Sequence, residues 1–195
     1  MIRSVQLSQT PPQPWRNGGG VTQVLLAWPD AADWLLRLSV AQIDSDGPFS
    51  AFAGVQRWFA VLGGAGVRLH WPGRTQTLTP DSPALCFDGA AAPECKLLSG
   101  PTQDLNLMLR GGSGALQDCM PGVDWTADAA LRAVFTLGPA TLRIAGADDT
   151  ALPAGSLAWS EQAHGQRWRL EASAASLSCA AGFRAFWLHF NPEAP

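Results

Sequence analysis

The chain has 195 residues, of which 47% are hydrophobic and 15% charged, a balance that favours a sizeable folded core and argues against disorder. Its net charge is −3 and it has no basic run, which argues against a nucleic-acid partner. No window reaches the roughly 18 apolar residues of a membrane helix and no signal peptide opens the chain, so we expect a soluble, cytoplasmic protein.

The first predicted element is a turn in residues 14–20, Pro-Trp-Arg-Asn-Gly-Gly-Gly. Asn17-Gly18 is a turn signal, and the three glycines allow the backbone to pass close to another group. No Gly-Lys-Ser/Thr follows, which excludes a phosphate loop, and the next residues, 21–28, resemble a strand. A plain hairpin turn and a wall of a binding pocket remain as the two interpretations.

Alternation of apolar and polar residues predicts strands along most of the chain. The glycines of Gly63-Gly64-Ala65 predict a hairpin turn between two of these strands, and residues 124–133 form the only stretch with a helical pattern. The predicted strands cover residues 34–43, 57–62, 66–71, 75–79, 84–87 and 104–110.

The second half of the sequence resembles the first in the same order. Residues 60–71 are matched by 135–146, residues 78–85 by 151–159, and residues 104–110 by 183–190. Such an internal duplication of short strands and Gly/Pro turns predicts an all-β bicupin, that is, two small jelly-roll barrels. We expect a first barrel in 1–112 and a degenerate second barrel in 113–195, with strand exchange between them left open. One larger sandwich, or a single barrel with an appendage, is the alternative.

The residue types of common catalytic and metal sites are sparse. None of the three histidines lies in an H-x-H pair, so we expect no metal and no cofactor. No G-x-S-x-G is present. The cysteines form no C-x-x-C pair, which predicts free thiols. The histidines are His70, His164 and His189, and the cysteines are Cys86, Cys95, Cys119 and Cys179.

Two predicted strands carry polar side chains at every second position. Arg37 and Ser39 share one face of residues 34–43, and Asp104, Asn106, Met108 and Arg110 share one face of residues 104–110. If the intervening leucines pack on a neighbouring sheet or domain, the polar row faces the barrel interior, where a buried charge must be paired or bind a ligand. The alternative is a polar row that faces solvent.

Several of these segments together resemble the HutD/Ves family. The matching segments are "PWRNGGGVTQ" (14–23), "LRLSVAQIDSDGPFSAFAGVQRW" (36–58), "FDG" (87–89) and "GPTQDLNLMLR" (100–110). They cover about 100 residues in the family's order. The chain departs from the family pattern at Leu36, where an aromatic residue is usual, and at Ala90, where an acidic residue is usual.

The resemblance implies a bicupin without established catalytic activity, which binds an intermediate of histidine degradation and tempers expression of the operon. Those intermediates, among them urocanate and N-formylglutamate, carry carboxylates, which agrees with arginines in a polar pocket. By resemblance, Arg37 and Arg57 would hold carboxylates, two asparagines would bind amide or imidazole groups, and the remaining residues would line the pocket. The full implied ligand-binding set is Asn17, Arg37, Ser50, Phe52, Arg57, Asp104, Asn106 and Met108.

Two other functions remain open from the sequence. A metal-independent cupin enzyme acting on a small carboxylic acid would use Asp104 or His70 as a general base. An interaction module, with a homodimer as the simplest form, would use some of the nine tryptophans, including Trp125 and Trp187, as a contact face.

Overall fold

The computed structural model of this chain describes residues 1–162, 165–177 and 183–193. The chain divides into a first unit, Thr10–Gly112, and a second unit formed by Met1–Gln9 and Ser113–Pro195. The predicted first barrel includes residues 1–9. In the structure they belong to the second unit, because Arg3–Gln6 pairs with Ser156–Ser160 through antiparallel hydrogen bonds.

Nearly all regular structure is β. The elements, in chain order, are β1 (Arg3–Gln6), a 3-10 turn (Leu7–Gln9), β2 (Gln13–Pro14), β3 (Gly20–Trp28), β4 (Leu36–Ile43), β5 (Gly47–Pro48), β6 (Val55–Gly63), β7 (Val67–Trp71), β8 (Arg74–Leu78), β9 (Leu85–Asp88), β10 (Glu94–Leu97), β11 (Thr102–Arg110), β12 (Gly112–Asp118), β13 (Asp124–Trp125), β14 (Leu131–Thr136), β15 (Ala140–Ile144), β16 (Thr150–Leu152), β17 (Ser156–Ser160), β18 (Trp168–Ala172), α1 (Ala174–Leu177) and β19 (Ala185–Pro192).

Each unit contains two sheets that share a core. In the first unit the sheets have the strand orders β2-β3-β4-β11-β6-β9 and β5-β10-β7-β8. Their inner faces pack together through apolar side chains such as Phe59, Val61, Leu69 and Cys95. The second unit has the orders β1-β17-β14-β19-β12 and β13-β18-β15-β16, with a tryptophan-rich core. The predicted all-β bicupin fold is confirmed.

The predicted helix at residues 124–133 is wrong. Asp124–Trp125 and Leu131–Thr136 are strands, and the described helix is Ala174–Leu177. All six residues of Leu131–Thr136 are buried, so this strand shows no apolar–polar alternation and its alanines imitate a helical pattern. Burial in the sheet outweighs the weak helix propensity of the segment.

The predicted hairpin at Gly63-Gly64-Ala65 is also wrong. The strands on either side, β6 and β7, belong to different sheets, so the segment carries the chain from one sheet to the other. Gly64 and Gly66 adopt φ values of 85° and 106°, which favour glycine, and both lie directly against neighbouring backbone. The glycines therefore mark a corner between sheets.

No helix among the described residues is long and apolar enough to cross a membrane.

Candidate functional site

A cavity of about 470 Å³ opens in the first unit. The eight residues implied by the family resemblance all line it: Asn17, Arg37, Ser50, Phe52, Arg57, Asp104, Asn106 and Met108. Exposure falls from the mouth inward. Asn17 and Ser50 are exposed, Arg37 and Phe52 are half-buried, and the remaining four are buried.

Strand register explains why the polar side chains converge. Met108 of β11 lies between Arg37 of β4 and Arg57 of β6 in the antiparallel ladders. Asn106, two residues earlier, lies on the same face because side chains alternate along a strand. Leu105 and Leu107 point to the opposite face and are fully buried. Both faces of the strand are therefore buried, and the polar row lines the cavity. Arg110, at the strand end, is exposed and does not line it.

Arg57 is a buried charged group in the lining of the cavity. It is 5% exposed, and its Nη2 donates a 2.8 Å hydrogen bond to Oδ1 of Asn106. Its guanidinium carbon lies over three rings, those of Phe49, Phe87 and Phe52, at 4.9, 5.2 and 5.8 Å from their centroids. The buried Nε–H has no hydrogen-bond acceptor in the part of the chain that the structure describes. A buried donor without an acceptor is costly, so this site favours a ligand that supplies one.

Burial lowers the pKa of Arg57 to about 10, with the nearby Arg37 acting in the same direction and Asp104 opposing it. The guanidinium therefore remains a cation at neutral pH. Arg37 lies nearer the mouth, where partial burial lowers its pKa and its Nη1 lies 4.0 Å from Sδ of Met108. Two arginines thus contribute positive charge to one wall of the cavity.

Asp104 is the one carboxyl group among the lining residues. It is 1% exposed, and Nδ2 of Asn106 lies 3.3 and 3.4 Å from its two oxygens. Burial raises the pKa of Asp104 to about 8, against the opposing effects of Arg57 and the Asn106 hydrogen bond. At neutral pH this carboxyl is mostly protonated. Asn106 therefore links the Arg57 cation to the neutral carboxyl of Asp104. Because the arginines are charged and Asp104 is mostly neutral, the cavity favours anions over metal cations.

The turn at residues 14–20 forms part of the cavity wall, which combines the two interpretations of this segment. Trp15 N donates to Gly20 O at 2.9 Å and Gly18 N to Trp15 O at 3.0 Å, which closes the hairpin between β2 and β3. Gly18 adopts φ 69°. Oδ1 of Asn17 accepts a 3.0 Å hydrogen bond from Gly19 N, so one polar atom of Asn17 is used to hold the turn.

Gly20 permits a close approach that the hairpin needs. A Cβ at this position would collide with the carbonyl oxygen of Gln42 and press on the Trp15 ring. With glycine here, Nε1 of Trp15 donates to Oγ1 of Thr22 at 2.8 Å, and the indole is fixed against the cavity. The glycine run thus positions Trp15 and Arg16 at the mouth.

The family resemblance left out nine lining residues, although all nine fall inside the quoted segments 14–23 and 36–58. Phe49 is the most informative omission, because its ring lies closest to Arg57. Arg16, an exposed third arginine in the lining, is the second. The nine are Pro14, Trp15, Arg16, Thr22, Ser39, Ala41, Ile43, Pro48 and Phe49.

Other candidate residues lie elsewhere. His70 is exposed, its Nδ1 lies 2.8 Å from Oγ1 of Thr75, and it does not line the cavity, so the structure does not support it as a general base there. Trp125 and Trp187 are 8% and 3% exposed in the core of the second unit, which removes them as a contact face. Cys86, Cys95 and Cys119 are free thiols. His164 and Cys179 lie outside the described residues.

The sequence matches the HutD family model over residues 7–180. An uncharacterised 21.2 kDa protein of the hutC 3' region of Pseudomonas putida is 40% identical over 111 residues, which are 55% of this chain and 57% of that protein. Protein Ves of Citrobacter koseri is 37% identical over 99 residues, 49% of this chain and 51% of that protein. The chain therefore spans about half the length of the curated relatives it matches.

Two solved structures share the fold over nearly the whole chain. A conserved protein of unknown function from Pseudomonas aeruginosa superposes with a TM-score of 0.86 at 27% identity, covering 98% of this chain and 99% of that chain. HutD from Pseudomonas fluorescens, determined in a formate condition, superposes with a TM-score of 0.84 at 24% identity over 100% of both chains. With the family model matched from residue 7 to residue 180, the chain belongs to the HutD family.

Proposed function

We propose that the first unit is a non-catalytic receptor for a small carboxylate intermediate of histidine degradation, such as N-formylglutamate or urocanate, and that occupancy regulates histidine utilisation. The observation that carries the proposal is the buried Arg57, a lining residue of the cavity whose Nε–H has no acceptor among the described residues. A carboxylate supplies that acceptor and a compensating charge at once.

The rest of the cavity suits such a ligand. The protonated Asp104 and the amide of Asn106 are polar partners for a formamide or imidazole group, while Phe52 and Met108 provide apolar contact. Arg37, nearer the mouth, is a partner for a second carboxylate. Because Asp104 is mostly protonated at neutral pH, it does not repel an incoming anion.

The relatives support the pathway assignment. One curated relative is a protein of the hutC 3' region, and a structural neighbour that shares the fold is HutD. A role beside the genes of histidine utilisation is consistent with a ligand drawn from that pathway.

Thermal and urea unfolding with urocanate, N-formylglutamate, formiminoglutamate and glutamate tests the proposal. An acid at 100 times its dissociation constant adds about 2.7 kcal/mol to the free energy of unfolding. We expect this gain for at least one acid in the wild type, and no gain in Arg57→Met. Arg68→Met, which removes an exposed arginine of β7 outside the cavity, is the matched control and keeps the gain. No stabilisation by any of the four acids contradicts the proposal.

A metal-independent enzyme is the second candidate, because Asp104 is a buried acid with a raised pKa inside a ligand-sized cavity. Incubation of each acid with purified protein, followed by proton NMR, separates the two functions. Conversion of an acid that is lost in Asp104→Asn supports an enzyme. Unchanged acids that nevertheless bind support the receptor.

A further inference from the structure

The second unit repeats the sheet order of the first. The order β4-β11-β6-β9 is matched by β12-β19-β14-β17, and β5-β10-β7-β8 is matched by β13-β18-β15-β16. Each strand corresponds to the strand eight places later in the chain. The sequence match of residues 60–71 to 135–146, an offset of 75 residues, sets the register, and the ladder partners extend it to the other strands.

This matching places an arginine at the same position in both units. In the ladder of β6 and β11, Arg57 lies opposite Met108. In the ladder of β14 and β19, Arg132 lies opposite His189. Like Arg57, Arg132 is buried, with no exposed surface, and its guanidinium carbon lies over aromatic rings, 4.7 Å from the centroid of Trp125 and 4.8 Å from that of Trp168.

The positions around the two arginines differ in size. Asn106, opposite Phe59, is matched by Trp187, opposite Val134. Gly47, opposite Cys95 in β5 and β10, is matched by Trp125, opposite Trp168 in β13 and β18. Three positions of the first unit thus have smaller side chains than the matched positions of the second unit, which are all tryptophans. The pairs are Asn106 and Trp187, Gly47 and Trp125, and Cys95 and Trp168.

The three indoles form one packed cluster. The rings of Trp125 and Trp187 are parallel within 2° at 4.7 Å, and Trp168 meets them edge-on at 6.0 and 6.3 Å. All three belong to the core of the second unit. Arg132 donates from Nη1 to the carbonyl oxygen of Gln166 at 2.5 Å, and from Nη2 to that of Trp125 at 3.4 Å.

We propose that the second unit holds a closed copy of the anion site, with Arg132 as its cation and the indoles of Trp125 and Trp187 in the space that a ligand takes in the first unit. Carbonyl oxygens and aromatic faces replace the anion as partners of the guanidinium. The chain then binds one ligand. If an indole is removed, the space accepts a flat aromatic carboxylate, which replaces the ring and offers its charge to Arg132.

The test uses benzoate and its neutral analogue benzamide in the Arg57→Met background, in which the first site lacks its buried cation. We expect a saturable rise in the thermal midpoint with benzoate in Arg57→Met/Trp125→Ala. Benzamide binds the same variant at least about tenfold more weakly. Arg57→Met alone, whose second site is closed, gives no rise. The result does not depend on the natural ligand of the first unit, so its failure is distinct from failure of the proposed function.

Trp187→Asn, which installs the residue found at the matched position of the first unit, is the second opening variant if Trp125→Ala does not fold. The proposal is overturned if either opening variant folds but does not bind benzoate, or if it binds benzamide as tightly as benzoate. The wild type tests closure by itself: benzoate-induced shifts of backbone amides in β14 and β19, persisting in Arg57→Met, also overturn it. Amides that do not shift there are the expected result.

Discussion

Replacing Asp104 with asparagine changes how stability depends on pH. Burial raises the pKa of Asp104 to about 8, whereas an unfolded aspartate titrates near 3.8. The folded state thus binds the proton more tightly than the unfolded state. The stabilising contribution of the protonated carboxyl is complete below pH 3.8 and is lost as pH rises through about 8.

The magnitude follows from the two pKa values. Each unit of difference corresponds to about 1.4 kcal/mol, so the wild type loses about 4 kcal/mol of unfolding free energy from this group between pH 5 and pH 9. Asparagine keeps the size of the side chain and does not ionise. The stability of Asp104→Asn relative to the wild type is therefore expected to improve by about that amount over the same range.

Urea unfolding at pH 5, 7 and 9, followed by tryptophan fluorescence, measures this difference. Comparison with the wild type at each pH cancels the other groups that titrate. Asp81→Asn, the same substitution at an exposed position, is the control. A difference between Asp104→Asn and wild type that stays constant from pH 5 to pH 9 refutes a carboxyl that is neutral in the folded cavity.

Three further predictions concern the cavity and its surroundings. Gly20→Ala lowers the free energy of unfolding by about 1–3 kcal/mol, because the new methyl group meets the Gln42 carbonyl; urea unfolding measures it. Asn106→Leu lowers it by about 3 kcal/mol, since Arg57 loses its side-chain acceptor in a buried site. Cys95 is 1% exposed with a pKa raised by burial to about 12, so it reacts with a thiol reagent at least about 100-fold more slowly in folded than in urea-unfolded protein.

Each of these predictions has a control or a contradicting result. Gly63→Ala, at a glycine with open space around its α-carbon, leaves stability nearly unchanged if steric contact is the cause at Gly20. Gln103→Leu, at a half-buried position on the other face of β11, is the control for Asn106→Leu. It lowers the free energy of unfolding by less than about 1 kcal/mol. Rapid labelling of Cys95 in the folded protein, confirmed by peptide mapping, contradicts a closed core at that thiol.

Much of the fold was predictable because one side of many strands differs in polarity from the other. Residues 34–43 show clear alternation, and the structure places β4 at Leu36–Ile43. The strand Leu131–Thr136 is buried on both faces, so periodicity there carries no information. At Gly63–Gly66, where the chain passes from one sheet to the other, the glycines suit a hairpin as well as a corner. Only tertiary packing distinguishes the two.

Several residues that line the cavity could be predicted from the sequence, but the chemical environment of Arg57 and Asp104 could not. Alternation placed Arg37, Asn106 and Met108 on one face of their strands, and the structure shows that this face lines the cavity. The rings over Arg57 and the neutral state of Asp104 depend on which distant segments meet, so no local pattern indicates them. The 75-residue offset of the internal duplication aligns Arg132 with Arg57, but only the strand ladders show which side chains surround each arginine.

The most direct test of the receptor observes the Nε–H signal of Arg57 in a ¹H–¹⁵N NMR spectrum, assigned by its loss in Arg57→Lys, during titration with N-formylglutamate and with urocanate. A carboxylate that accepts a hydrogen bond from this Nε–H moves the signal saturably, with the same affinity that calorimetry reports. An Arg57 Nε–H signal that stays in place while either acid binds contradicts the assignment of this arginine as the anchor of the ligand.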